Sequence, residues 1–204
     1  MNLTDVFCKT ADLSKYFNDN SVTLKLWGDV YDIGIKTSNF LADRYRTHGI
    51  KALCNLNGHY VIAVHEKVHN IYHLINDRYG FKRCYYRLDN GNLIFSPDYK
   101  DVCSDLSLSG QVDKDSLADF LYLGFVLDDR TLHQDVKLLP AASILSYKNN
   151  QLSIEKYWDY CFSDDSTADR CEDEYLEEFY RRLLKSVESR INDKNELILP
   201  ISGG

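Results

Sequence analysis

The sequence predicts an α+β fold, and three observations carry that reading. The first is a run of short, apolar, β-branched and aromatic segments between residues 56 and 96, separated by turn residues. The second is a pair of segments, Ser143 to Tyr147 and Gln151 to Ile154, folded about Asn149-Asn150 as a further hairpin. The third is helical spacing elsewhere, clearest where Tyr175, Phe179, Leu183, Val187 and Ile191 recur within Glu172 to Ile191. Strands clustered together and helices set apart are the α+β pattern rather than alternating βαβ units.

The elements follow in chain order. Residues 1 to 21 are weakly patterned. Val22 to Leu26 alternates as a strand and ends at Trp27-Gly28-Asp29-Val30-Tyr31-Asp32. Asn39 to His48 places Phe40, Leu41, Arg44 and Tyr45 at helical spacing, and Gly49 supplies a stop. His59 to His65 and Ile71 to Ile75 read as a strand pair with a polar tip at Glu66 to Asn70. Gly80 marks a break after Asn76-Asp77-Arg78. Cys84 to Arg87 and Leu93 to Ser96 are two more strands joined across Asp89-Asn90-Gly91, and the whole stretch reads as one compact antiparallel meander. Pro97 to Val102 is a short helix; Asp113 to Leu121 is a better one, with Asp113 as N-cap and Leu117, Phe120 and Leu121 on one face. Residues 161 to 173 are acidic and polar, a linker. Leu197 to Ile201 reads as a strand buried on both faces, followed by Ser202-Gly203-Gly204.

Composition narrows the function classes. The chain has 204 residues, enough for a sizeable core, and is 44% hydrophobic with 15 tyrosines. Its net charge of −7 argues against a broad nucleic-acid or anionic-membrane surface. Its longest apolar runs fall far short of the roughly 20 residues a membrane span needs. No signal-peptide pattern opens the sequence, so a cytoplasmic location is expected. Cys8, Cys54, Cys84, Cys103, Cys161 and Cys171 show no C-x-x-C spacing and read as reduced thiols, not a metal site. His65-Glu66-Lys67-Val68-His69 spells H-E-x-x-H, with His73 beyond it. Zinc binding by that motif needs one helix face, whereas here it lies at a hairpin tip, so no metal is expected.

Two stretches carry a resemblance. Leu56-Asn57-Gly58-His59-Tyr60-Val61-Ile62-Ala63 and Asn76-Asp77-Arg78-Tyr79-Gly80-Phe81-Lys82-Arg83-Cys84-Tyr85-Tyr86 are similar to the L-x-G-M-F-A-F-A and A-R-D-R-F-G-x-K-P-L-Y-Y runs of the asparagine synthetase family, in its class II glutamine amidotransferase domain. Tyr122 to Val126, Arg130 to His133, Val136 to Ala141 and Lys156 to Asp159 continue the similarity. The resemblance implies an N-terminal-nucleophile-type αββα sandwich, two antiparallel sheets between helix layers, trimmed at its first strands. It divides the chain into an amidotransferase-like domain over 1–160, a linker over 161–173, and the first helix and strand of an ATP-pyrophosphatase domain over 174–204.

It also implies where chemistry is altered. Trp27-Gly28-Asp29-Val30-Tyr31-Asp32 resembles the family's N-G-E-I-Y-N, whose Asn side chain and Gly N–H form the oxyanion hole; Gly28 is kept, and Asn has become Trp27. Trp27 reads as a pocket-filling or core aromatic. The Asp that holds the glutamine amino group falls on Thr37, which cannot form that ion pair. The family's N-terminal nucleophilic Cys has no counterpart at Met1-Asn2-Leu3, and Cys8 reads as an ordinary thiol, so no catalytic residue is assigned. The glutamine pocket, Trp27, Gly28, Asp29 and Thr37, is expected to be degenerate.

Ile201-Ser202-Gly203-Gly204 resembles the start of the family's S-G-G-x-D-S nucleotide loop. By resemblance, the intact protein forms an amide bond through an acyl-adenylate, with ATP and Mg²⁺. Its nitrogen comes from ammonia or an amine, as in the related β-lactam synthetase type. A non-catalytic scaffold or dimerisation module is the alternative reading. True glutamine-dependent asparagine synthesis is another, and requires a start upstream of Met1. The expected partners are a C-terminal synthetase domain and a second copy through residues 172–204, whose apolar stripe and strand need cover. Neither nucleic acid nor membrane is expected. This chain itself, holding only the beginning of a phosphate loop, is expected to bind ATP weakly or not at all. Calorimetric titration checks this: no saturable heat at micromolar nucleotide is the expected outcome, and micromolar affinity contradicts it.

Overall fold

The computed structural model describes residues 15–31, 38–104, 111–161 and 171–191. The chain divides into two compact units, Met1–Asp159 and Tyr160–Gly204. Among the described residues of the first, nine strands form two antiparallel sheets. The larger sheet contains β1 (Tyr16–Asn18), β2 (Val22–Val30), β3 (Gly58–Glu66), β4 (Ile71–Asn76), β8 (Ser143–Lys148) and β9 (Gln151–Lys156), in the order β1-β2-β3-β4-β8-β9. The smaller has β5 (Tyr85–Asp89), β6 (Asn92–Ser96) and β7 (Lys137–Leu138), in the order β6-β5-β7.

Strand alternation builds four layers from these sheets. Along β3, Tyr60, Ile62 and Val64 face helix α1 (Ser38–His48) and join Leu24, Leu26, Leu41, Ala42 and Tyr45 in one core. The intervening Val61 and Ala63 face the other way, where they meet Leu74, Tyr86, Leu93, Phe95 and Leu145 between the sheets. β6 repeats the device: Leu93 and Phe95 point into that inter-sheet core, while Ile94 points outward onto Val102 of helix α2 (Tyr99–Cys103). The order α1, large sheet, small sheet, α2 is the αββα sandwich that the resemblance implies. Both faces of the central strands are buried, which explains their near-continuous apolar sequence.

Turn chemistry sets the hairpins. Asn90 and Gly91 have φ of 48° and 76°, and Asn149 and Asn150 have 49° and 61°. Two consecutive left-handed residues make the tight turn that matches strand twist, and Asn and Gly tolerate it best. Asp113 caps helix α3 (Lys114–Leu123), its Oδ1 accepting from the Ser116 N–H at 2.8 Å.

Several expectations change. The stretch from β3 to β6 is not one meander. β4 pairs with β8, sixty-odd residues on, and β5 and β6 open the second sheet. The reason lies at Asn76-Asp77, where backbone and side-chain bonds turn the chain out of the first sheet. β1 lies in the segment read as weakly patterned, and β7 has only two residues; both are too short to show a period. The apolar face read on α3 is open, with Leu117, Phe120 and Leu121 at 39%, 47% and 76% exposure.

In the second unit, helix α4 (Glu172–Ile191) has the boundaries its periodicity predicts. Glu178 accepts from Arg181 and Arg182, which hold its carboxyl down at about 2. The strand read at Leu197 to Ile201 lies outside the described residues. No helix among them is long and apolar enough to cross a membrane.

Asp77 holds the junction together. Its carboxylate, 1% exposed, accepts from the backbone N–H groups of Tyr60, Tyr79, Phe81 and Lys82 at 3.1–3.2 Å. Replacing it by Ala strands buried donors that each cost about 1–3 kcal/mol. Asp77→Ala is expected to lose about 3 kcal/mol or more, and Asp77→Asn, which keeps one acceptor oxygen, clearly less. Urea unfolding checks this by a lower midpoint at unchanged slope.

Candidate functional site

The expected pocket residues begin on β2 where it runs beside β3. Trp27, Gly28, Asp29 and Val30 pair with Val61, Tyr60, His59 and Gly58. Gly28 has φ of +92°, and a Cβ there would lie 2.0 Å from the His59 carbonyl oxygen. A Cβ on Gly58 would likewise lie 2.3 Å from the Asp29 carbonyl oxygen. Two glycines thus let these strand ends approach more closely than side-chain-bearing residues allow.

Parity along β2 sends Lys25 and Trp27 to the inter-sheet side. Trp27 meets Phe95 edge to face at a centroid distance of 6.2 Å, an arrangement the ring quadrupoles favour. The Lys25 ammonium, in a residue only 1% exposed, lies 4.5 Å from the Trp27 ring centroid. Trp27 is therefore engaged with a core ring on one side and the Lys25 side chain on another. Asp29 points to the surface, where the Lys15 ammonium bonds its Oδ1 at 3.1 Å and the Gly28 carbonyl oxygen at 2.7 Å. Sequence reading missed both lysines. Lys25 was detectable: in Val22 to Trp27 it shares parity with Trp27 and opposes Leu24 and Leu26.

Beyond Asp29 runs a row of rings. Tyr31 and His59 centroids are 5.7 Å apart, His59 and Phe81 4.7 Å, Phe81 and Tyr79 5.8 Å, and Tyr79 and Trp158 5.5 Å. Beside Trp158, Tyr157 packs on the core and donates from its hydroxyl to the Asn76 carbonyl at 2.6 Å, which closes the domain as a plug.

Thr37, Cys8 and Ile201 to Gly204 lie outside the described residues, so the structure brings together Trp27, Gly28 and Asp29 alone. Of the cysteines it describes, Cys54 and Cys84 are core residues. Burial pushes their thiols up to about 11 and about 12, so both are protonated at neutral pH and neither is a ready nucleophile.

The H-E-x-x-H residues do separate jobs. Glu66 accepts from the Tyr45 hydroxyl at 2.9 Å and from His69. His65 stacks on Tyr72 at 4.0 Å, and His73 bonds the Ser146 hydroxyl at 2.8 Å. Among the described residues no three His, Cys, Asp or Glu side chains gather as a metal site.

Comparison with known proteins adds lineage. A family model described as a glutamine amidotransferase domain matches residues 36–158. Amidase chyE of Penicillium rubens is 23% identical over 202 residues, covering 91% of this chain and 30% of that protein. Amidase chry2 of Gibberella zeae is 25% identical over 162 residues, covering 78% of this chain and 24% of that protein. The glutamine-hydrolyzing asparagine synthetase 3 of Bacillus subtilis is 25% identical over 105 residues, covering 51% and 17%. The chain thus spans less than a third of the length of these relatives.

Gly28→Ala is expected to lower stability by about 3 kcal/mol or more, since left-handed backbone strain of roughly 1–2 kcal/mol adds to a clash with fixed main chain. For a domain of this size that lowers Tm by roughly 6–12 °C, which calorimetry reads directly.

Proposed function

Because the chain belongs to the glutamine amidotransferase domain family, we propose that it serves an asparagine-synthetase-like, ATP-dependent amide-forming protein as a front domain that no longer hydrolyses glutamine. The observation that carries this reading is the position of Trp27. Amide hydrolysis passes through a tetrahedral oxyanion, and fixed donors aimed at it are worth about 10²–10³ each in rate. Where the family resemblance puts a carboxamide, this chain has an indole packed on Phe95 under the Lys25 ammonium. An indole has one N–H on a bulky ring and cannot reproduce the carboxamide's short reach. Thr37, where the family has the Asp that pairs with the substrate's ammonium, supports the same conclusion from sequence.

In this reading the domain contributes structure, and acyl-adenylate chemistry with ATP and Mg²⁺ belongs to a longer protein that takes ammonia or an amine as its nitrogen source. Losses in a catalytic constellation are not additive: one altered group alone already removes most of the turnover.

The test is glutamate release from glutamine by the purified chain. No release above the protein-free control is expected. Release that Cys8→Ala abolishes overturns the proposal.

A further inference from the structure

A pocket beside helix α3 has no part in the proposed function, and its chemistry is specific. Tyr85 and Leu138 of the small sheet, Tyr99 of α2, Phe120 of α3, and Phe125 and Leu132 beyond it line a cavity of about 380 Å³. That volume lies within the range of small-molecule sites, roughly 300–1,000 Å³, and the lining is of the apolar, aromatic kind such sites show. Tyr85 and Tyr99 meet edge to face at 5.2 Å, which fixes one wall.

The opposite wall is tied in place before any ligand arrives. Gly124, with φ of +82°, ends α3 and turns the chain into the loop that carries Phe125. Asp119 then clamps that loop, accepting from the Leu127 N–H at 3.3 Å and the Arg130 guanidinium at 2.6 Å. Thr131, 8% exposed, anchors the far end by donating to the Val136 carbonyl at 2.8 Å. A wall already ordered spares a ligand the entropic cost of ordering it.

Charge decides what such a ligand carries. Two guanidinium groups border the pocket, Arg83 and Arg130. Arg130 is paired with Asp119. Arg83 is exposed and has no hydrogen-bond or ion-pair partner among the described residues. Arg83 also borders an adjoining cavity lined by Asp128 and Asp129, whereas neither carboxylate lines the aromatic pocket. A guanidinium fork matches a carboxylate in two parallel hydrogen bonds.

The geometry points to a binding site for a small amphipathic acid, its aromatic or branched body between Tyr85, Phe120 and Phe125 and its carboxylate on Arg83. The site stands independently of the proposed function.

The experiment titrates the full chain with 3-phenylpropionate and with its uncharged match, 3-phenylpropanol, following backbone amide shifts. The acid is expected to move the amides of Tyr85, Phe125 and Leu132 and to bind about tenfold or more tighter than the alcohol, the worth of a charge-assisted contact. Arg83→Gln, at an exposed position that leaves the fold intact, reduces the acid to the alcohol's affinity. Phe125→Ala weakens both. Equal affinity for acid and alcohol, insensitivity to Arg83→Gln, shifts that map elsewhere, or no shift at millimolar acid each overturns the site.

Discussion

Everything in the first unit hangs on the Asn76-Asp77 junction. Asn76 ends β4, and its carboxamide bonds the Leu139 and Pro140 carbonyls and the Ser143 N–H. Those contacts bring the start of β8 beside β4. Asp77 gathers the amides of Tyr60, Tyr79, Phe81 and Lys82, and its own carbonyl accepts from Gly80 and Ala142. Two adjacent polar side chains, both fully buried, thus join β3, β4, β8 and the loop that crosses to the second sheet. Buried polar groups are costly unless satisfied, and a fully satisfied cluster specifies one arrangement for that reason.

The same junction positions the candidate site. The loop that Asp77 organises carries Tyr79 and Phe81 to the row of rings beside Gly28 and His59. The Tyr157 hydroxyl, on the Asn76 carbonyl, places Trp158 at the end of that row. On the neighbouring strand, Trp27 sends its large ring toward the inter-sheet core, against Phe95.

The Tyr hydroxyls illustrate how burial governs this fold's ionisation. Tyr60 donates to the Leu53 carbonyl inside the α1-side core, and burial holds it far above the ordinary phenol range. Tyr157 is pushed up to about 12 by the same cause. Both are neutral donors at any physiological pH, so they act as fixed pegs between layers.

Local elements were legible in the sequence because their physics is local. The Asn-Gly and Asn-Asn turns need left-handed residues, Asp113 caps the next turn of helix, and an apolar stripe every three to four residues has one regular solution. Motif resemblance added the αββα order and singled out Trp27, Gly28 and Asp29 as candidates. Partnership was decided only by tertiary structure. Nothing in Ile71 to Asn76 says that it pairs with Ser143 to Lys148, because strand pairing depends on where a loop delivers its partner. Likewise Lys25 is buried, and Leu117 and Phe120 are open, because burial belongs to what packs against a face and not to the residue's own hydropathy.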